Sequence, residues 1–277
     1  MLLGRIAAGP GPDFLPGALN RALRLLGEPG SCGTFRVAQA ELGTALQGLR
    51  ALGFRGVALA GPLQVEAARL CACRGEAARR LGRASVITFD AEGARGDALM
   101  PAAIQAVAGA AVAAPERAVV LGLGLGADAA VVALASLGAR QITVAADDRM
   151  EAARLVARLE PACPGASLRV LEAGAPLQGE LAVHADDGVS ALRLGLPRAD
   201  QLGYAIDLQC PGSGEPAWLA AFRAEGGRGE DGVGVLVRSA MAMLEQWRCS
   251  PIPTQLEARV RAAVRAGGAR AVALSAA

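Results

Sequence analysis

The chain has 277 residues, of which 53% are hydrophobic, 19% charged and 3% aromatic, so a core of Leu, Val and Ala is within reach and long disorder is excluded. A net charge of +2 leaves no electrostatic footprint for nucleic acid or an acidic membrane surface. Every cationic side chain apart from His184 is an arginine; the absence of lysine excludes a Schiff base, a Walker lysine and a lysine general base.

In chain order, Leu2 to Ala7 reads as a strand. A loop, GPGPDFLPG, follows, then a helix from Ala18 to Leu26. Gly33 to Val37 is a strand, Gln39 to Leu52 a helix ended by Gly53, and Gly56 to Leu59 a strand. One continuous helix is expected over Glu66 to Leu81, then a strand over Ser85 to Phe89, a turn over Asp90 to Gly96, and an alanine-rich helix over Pro101 to Ala113. Beyond Asp148, helices are expected over Met150 to Leu159, Pro216 to Glu225, Val235 to Trp247 and Thr254 to Ala266. Strands are expected over Leu168 to Leu171, Leu181 to His184 and Tyr204 to Leu208. GGRGEDG, Gly226 to Gly232, reads as loop. The alternation of strand and helix predicts a mostly parallel sheet with covering helices.

The stretch AVVLGLGLGADAAVVALASLGARQITVAADD, Ala118 to Asp148, organises this pattern. An apolar run meets Gly122, Gly124 and Gly126; a helix runs to Leu137; Gly138 stops it, and Gln141 to Ala145 is a second strand. This is the layout of a dinucleotide-binding βαβ unit, whose glycines permit a tight turn and whose helix N-terminus faces a pyrophosphate. Asp147 follows Gly126 by about 20 residues, the spacing of a ribose-binding acid, and a carboxylate there favours NAD over NADP. The alternative is a doubly wound fold that keeps the glycines for packing. Asp128, near the helix start, is expected to oppose a pyrophosphate.

Six cysteines, at 32, 71, 73, 163, 210 and 249, are irregularly spaced, and only one histidine is present. No metal site is expected. Cys71 and Cys73 fall in the expected helix and read as packing thiols. The N-terminus lacks the pattern of a signal peptide, and no run is long and apolar enough to span a bilayer, so a cytoplasmic protein with no membrane partner is expected.

These pieces, in this order, resemble the shikimate/quinate dehydrogenases along nearly the whole chain. ALGFRGVALAGP resembles the segment ending in N-V-T-x-P-x-K, and GARGDALMPAAIQAV resembles G-x-N-T-D-x-x-G with Asp97 at the aspartate. LGLGLGADAAVVALASLGA resembles the glycine loop and helix, and DGVGVLVRSAMAMLEQW resembles the closing G-x-x-M-L-v-x-Q segment with its terminal Trp. The resemblance implies an α/β chain of two domains. An N-terminal α/β substrate domain (residues 1–101 plus 240–277) joins a Rossmann-like NAD(P)-binding domain (residues 102–239), and a C-terminal helix returns to the first domain. It also implies a small-molecule ligand in the interdomain cleft, and a monomer or homodimer is expected.

The family's polar site residues are mostly replaced. Its catalytic lysine aligns with Gln64, and its S-x-S pair with Asp13 and Leu15. The N-V-T side chains become Ala58 and Ala60; the asparagine of A-V-N-T becomes Ile87, while Thr88 matches. The glutamine of the last motif becomes Ser239, and a tyrosine becomes Cys210. N-A-T-P reads His184-Ala185-Asp186-Asp187, and N-R-T reads Ala146-Asp147-Asp148. Asp13 brings a like charge to a carboxylate ligand, unfavourable by roughly 1–4 kcal/mol, and Gln64 cannot shuttle a proton. No useful shikimate or quinate dehydrogenase activity is expected.

Asp97 and His184 are the catalytic candidates. Asp97 is either an acid/base or acceptor toward ligand, or a helix N-cap. His184, at a strand's C-terminal end, either replaces the lysine as acid/base or is an ordinary loop residue. Asp13, Gln64 and Ser239 are the candidate substrate-binding residues. Two function classes follow. One is an NAD-dependent oxidoreductase on a non-shikimate small molecule. The other is a catalytically silent relative that binds a small molecule or protein and uses no cofactor.

Overall fold

A computed structural model describes residues 1–9, 14–172, 175–185, 201–210 and 214–275, with backbone only from 267 onward. Two compact units divide the chain: Met1–Met100 with Leu236–Ala277, and Pro101–Val235.

The first unit begins with β1 (Leu2–Ala7), α1 (Leu15–Leu26), β2 (Ser31–Arg36), α2 (Leu42–Ala51), β3 (Phe54–Leu59) and α3 (Leu63–Leu70). α1 starts on Pro16 in its first turn and ends on Gly27, whose φ of 69° suits glycine. β4 (Cys73–Arg74), α4 (Glu76–Leu81), β5 (Val86–Phe89) and β6 (Ala94–Asp97) follow. The sheet order is β2-β1-β3-β5-β6-β4. β5 runs antiparallel to β3 and β6, so this sheet is mixed rather than uniformly parallel. One face packs Ile6, Val57, Leu59 and Ile87 against Leu42, Leu46, Leu49 and Leu63.

Two local expectations fail here. The helix expected over Glu66 to Leu81 breaks at Cys71, which is extended. Ala72 N–H and Gly75 N–H instead donate to Ala94 and Gly96 carbonyls, both at 2.9 Å; sheet pairing overrides the helix propensity of the alanines. The expected turn over Asp90 to Gly96 shrinks to a tip where Asp90 Oδ1 accepts from the amides of Glu92 and Gly93. Its remaining residues form β6. Cys73 is consequently exposed and Cys71 half-buried, neither in a helix.

The second unit contains α5 (Met100–Ala111, beginning at the boundary), β7 (Arg117–Leu121), α6 (Gly124–Leu137), β8 (Gln141–Ala145), α7 (Arg149–Leu159) and β9 (Ser167–Val170). β10 (Gly179–His184), β11 (Leu202–Asp207), α8 (Ala217–Ala224) and β12 (Arg228–Glu230) complete it. The order β12-β11-β10-β7-β8-β9 is parallel throughout. It is the doubly wound dinucleotide-binding order with β7 as first strand. α6 is buried almost all round through Ala127 to Leu134, which its small side chains allow. On the other face Val119, Leu121, Ala145, Ala182 and Ala205 pack with Trp218, Leu219 and Phe222 of α8. The expected loop Gly226 to Gly232 contains β12. A side chain at Gly229 would place Cβ 2.3 Å from the Ala205 carbonyl oxygen, so glycine is what lets this edge strand close.

The chain returns to the first unit through α9 (Val233–Arg248) and α10 (Thr254–Ser275), the latter longer than expected. Trp247 anchors α9: its Nε1–H donates to the Ile87 carbonyl at 3.2 Å, and a Cβ at Gly56 would lie 2.0 Å from that nitrogen. Glu257 of α10 holds Arg238 at 3.0 Å and Arg261 at 3.2 Å. Among the described residues, no helix is long and apolar enough to cross a membrane, and no group of three or more His, Cys, Asp or Glu is placed to hold a metal.

Candidate functional site

The glycine turn follows β7. Gly122 N–H donates to the Ala145 carbonyl at 2.8 Å, extending the β7–β8 ladder by one bond. Gly122 and Gly124 then adopt φ of 98° and 84°, a region that a Cβ opposes. Gly126 faces the chain after β10: a Cβ there would stand 3.1 Å from the Ala185 carbonyl oxygen. Leu123 precedes α6 with no side-chain cap, so no side chain at that position competes with a ligand anion for the first amides.

Asp128 does not oppose such an anion as the sequence suggests. It lies beyond the first turn of α6, and its side chain is 4% exposed. Arg158 of α7 grips both oxygens, at 2.9 and 2.7 Å. The bond to Asp128 raises the Arg158 guanidinium above its ordinary range, burial opposes this, and the Asp128 charge adds to it. The two-pronged contact sets the Arg158 charge directly against the Asp128 carboxylate. Of the acidic pair after β8, Asp148 caps α7, its Oδ1 accepting from the amides of Met150 and Glu151. Asp147 is exposed just past the strand end, where a ribose-binding acid belongs.

His184 ends β10, but its ring has no solvent exposure. Nδ1 lies 2.9 Å from Asp207 Oδ2, and Trp218 packs over the ring with centroids 5.1 Å apart. Asp207 Oδ1 also accepts from Gln209 N–H at 2.9 Å. The expected acid/base is thus a core side chain. His184 Nε2 and Trp218 Nε1 have no hydrogen-bond partner among the described residues. Asp186 and Asp187 lie outside the described residues, as does Asp13.

Asp97 is the last residue of β6, three before α5, so it is no helix N-cap. Its Oδ2 accepts from Gln246 Nε2 at 2.7 Å and pairs with Arg95 Nε at 3.2 Å. The same Gln246 amide donates to Thr88 Oγ1 at 2.8 Å. Gly75 packs beneath: a Cβ there would sit 1.8 Å from Asp97 Oδ1. Cys71, near this cluster, has its thiol pushed up to about 11, by burial first and then by Cys73 and Asp97. The Gln64 side-chain amide donates to the Leu59 carbonyl at 3.0 Å. Ser239 is buried on α9, its hydroxyl without a hydrogen-bond partner among the described residues. Gln246, Arg95, Arg158 and Asp207 escaped the sequence reading. The available signal for Gln246 was its place two helical turns after Ser239, on the same face of α9.

Strand order and glycine turn together define a two-unit α/β protein whose second unit has Rossmann-like, doubly wound topology. No protein-family model matches the chain. It is 32% identical over 253 residues to the shikimate dehydrogenase (NADP+) of Anaeromyxobacter sp. strain K, covering 86% of this chain and 87% of that one. Its fold also matches Mycobacterium tuberculosis shikimate dehydrogenase, with TM-score 0.78, 26% identity and coverage of 95% and 99%. A 5-ketofructose reductase of Gluconobacter sp. strain CHM43 matches with TM-score 0.82, 19% identity and coverage of 95% and 98%. The chain belongs to the shikimate dehydrogenase family.

Proposed function

We propose that this family member is an NAD-linked oxidoreductase acting on a small molecule other than shikimate. The observation that carries the cofactor half is the neutralised Asp128 behind an uncapped glycine turn, with Asp147 exposed at the end of β8. The residues fit a dinucleotide: Gly122, Gly124 and Gly126 line the pyrophosphate position, and Asp147 accepts from ribose hydroxyls and repels a 2′-phosphate. The bound nicotinamide supplies hydride chemistry. Asp97 presents a carboxylate held by Gln246 and Arg95 and serves the ligand as acceptor. His184, buried against Asp207, ties the ends of β10 and β11 together. Replacement of the family lysine by Gln64, whose amide is engaged with Leu59, argues against shikimate turnover. The 5-ketofructose reductase shows that this fold serves another substrate elsewhere.

The second reading, a catalytically silent binding protein, draws on that same Gln64 and on the buried Ser239 hydroxyl. Spectrophotometric assays with shikimate and quinate, each with NAD and NADP, test the substrate half. Turnover at the rate of an ordinary dehydrogenase overturns it; absence of turnover together with measurable NAD binding supports it.

A further inference from the structure

The face of the second sheet that α8 covers over β10 and β11 is treated differently over β8 and β9. Where neighbouring strands present Val119, Leu121, Ala182 and Ala205 to the core, Thr143 and Arg169 stand side by side on adjacent strands. Together with Arg117, Leu171, Glu172 and Gln178 they line a pocket of about 390 Å³. A pocket this size accepts a small organic ion with its hydration.

The charges in it are unevenly satisfied. Arg117 is held by Glu180, with Nε 3.6 Å from Oε1 and its backbone N–H donating to Oε2 at 2.6 Å. Arg169 has no carboxylate within ion-pair distance among the described residues; its Nε donates to Thr143 Oγ1 at 3.1 Å. That bond fixes the guanidinium plane and leaves the Thr143 hydroxyl proton free to be donated. The terminal nitrogens of Arg169 then form a fork that matches two oxygens of a planar or tetrahedral anion. Thr143, Gln178 and Arg117 add donors around it. Glu172 opposes an anion, so the charged end of the ligand belongs at Arg169. Arg117 is the first residue of β7 and Gln178 precedes β10, at the end of the sheet opposite the glycine turn, whereas Leu171 and Glu172 follow β9 at the same end as that turn; saturation with NAD separates this pocket from the dinucleotide position.

We propose that this pocket is a separate binding site for a small anion bearing a carboxylate or phosphate group. The test is calorimetry on the full chain at fixed ionic strength, with inorganic phosphate and with malonate, in the presence of saturating NAD. Binding of either anion, weakened about tenfold or more by Arg169→Gln and also weakened by Thr143→Val, supports the site; which anion binds separates phosphate from carboxylate ligands. Circular dichroism of both variants shows that the fold is kept. No heat with either anion, or heat unchanged by Arg169→Gln, overturns the proposal. Anion binding to the untreated chain that NAD abolishes belongs to the glycine turn and also overturns it.

Discussion

Arg158 of α7 closes a two-pronged ion pair on Asp128 of α6, 2.9 and 2.7 Å long. It joins the two helices that flank β8 and removes the one negative charge that the sequence sets against a bound pyrophosphate. Arg158 is half exposed while Asp128 is buried, so the pair lies between the weak surface case and the buried case. Arg158→Gln is expected to lower stability by about 2 kcal/mol, read from urea midpoints. It is also expected to weaken NAD, because the carboxylate then faces the helix N-terminus uncompensated. Since the guanidinium is held above its ordinary range, its own contribution to the pair is complete across neutral and moderately alkaline pH. It fades only as pH rises through the raised value, so the stability difference between wild type and variant is expected to stay flat across neutral pH.

Gln246→Leu removes one amide that serves two acceptors, Thr88 Oγ1 and Asp97 Oδ2. The loss leaves both short of a donor in a half-buried place, and a cost of about 1–3 kcal/mol is expected. In an Asp97→Ala background the same substitution should cost less, because one of its two partners is already gone. Equal costs in both backgrounds would show that Gln246 supports α9 alone.

Gly75→Ala should be among the most damaging single changes in the first unit. The added Cβ falls 1.8 Å from Asp97 Oδ1, so the carboxylate must leave its place between Gln246 and Arg95. Paired denaturation of Gly75→Ala and Gly75→Ala with Asp97→Ala checks this; the second change should restore part of the loss.

The thiols should separate by burial. Cys73 and Cys249 are exposed and Cys32 and Cys163 buried, so alkylation near neutral pH is expected at Cys73 and Cys249 first, read by mass spectrometry. Cys71, raised from 9.0 to about 11, should lag behind Cys73. Because the folded value is the higher one, its contribution to stability is complete below 9.0 and is lost as pH rises through about 11. Cys71→Ser should shift that alkaline decline.

What was legible in the sequence was local. The glycine unit from Ala118 to Asp148 is strand, turn, helix and strand in one continuous stretch, and each boundary carries its own signal in Gly122, Gly138 and Asp148. β4, β6 and β12 were not legible, because two to four residues have no periodicity of their own and become strands only when a partner edge receives them. Gly229 shows this: it reads as loop until Ala205 lies against it. The surroundings of Asp97 were hidden for a similar reason. Its donor Gln246 is 149 residues away in sequence, and only the fold brings them within hydrogen-bond distance. His184 was placed correctly at the end of a strand, but which face its ring takes depends on Trp218 and Asp207, which belong to later elements.

The proposed function requires the second unit to bind NAD through the glycine turn and Asp147. Isothermal calorimetry of the full chain with NAD and NADP tests it most directly, comparing wild type with Asp147→Ala. Micromolar NAD binding, weaker NADP binding, and a preference for NAD that Asp147→Ala reduces by about tenfold are expected. Absence of heat with either nucleotide, or NADP binding more tightly than NAD with Asp147 intact, would contradict it.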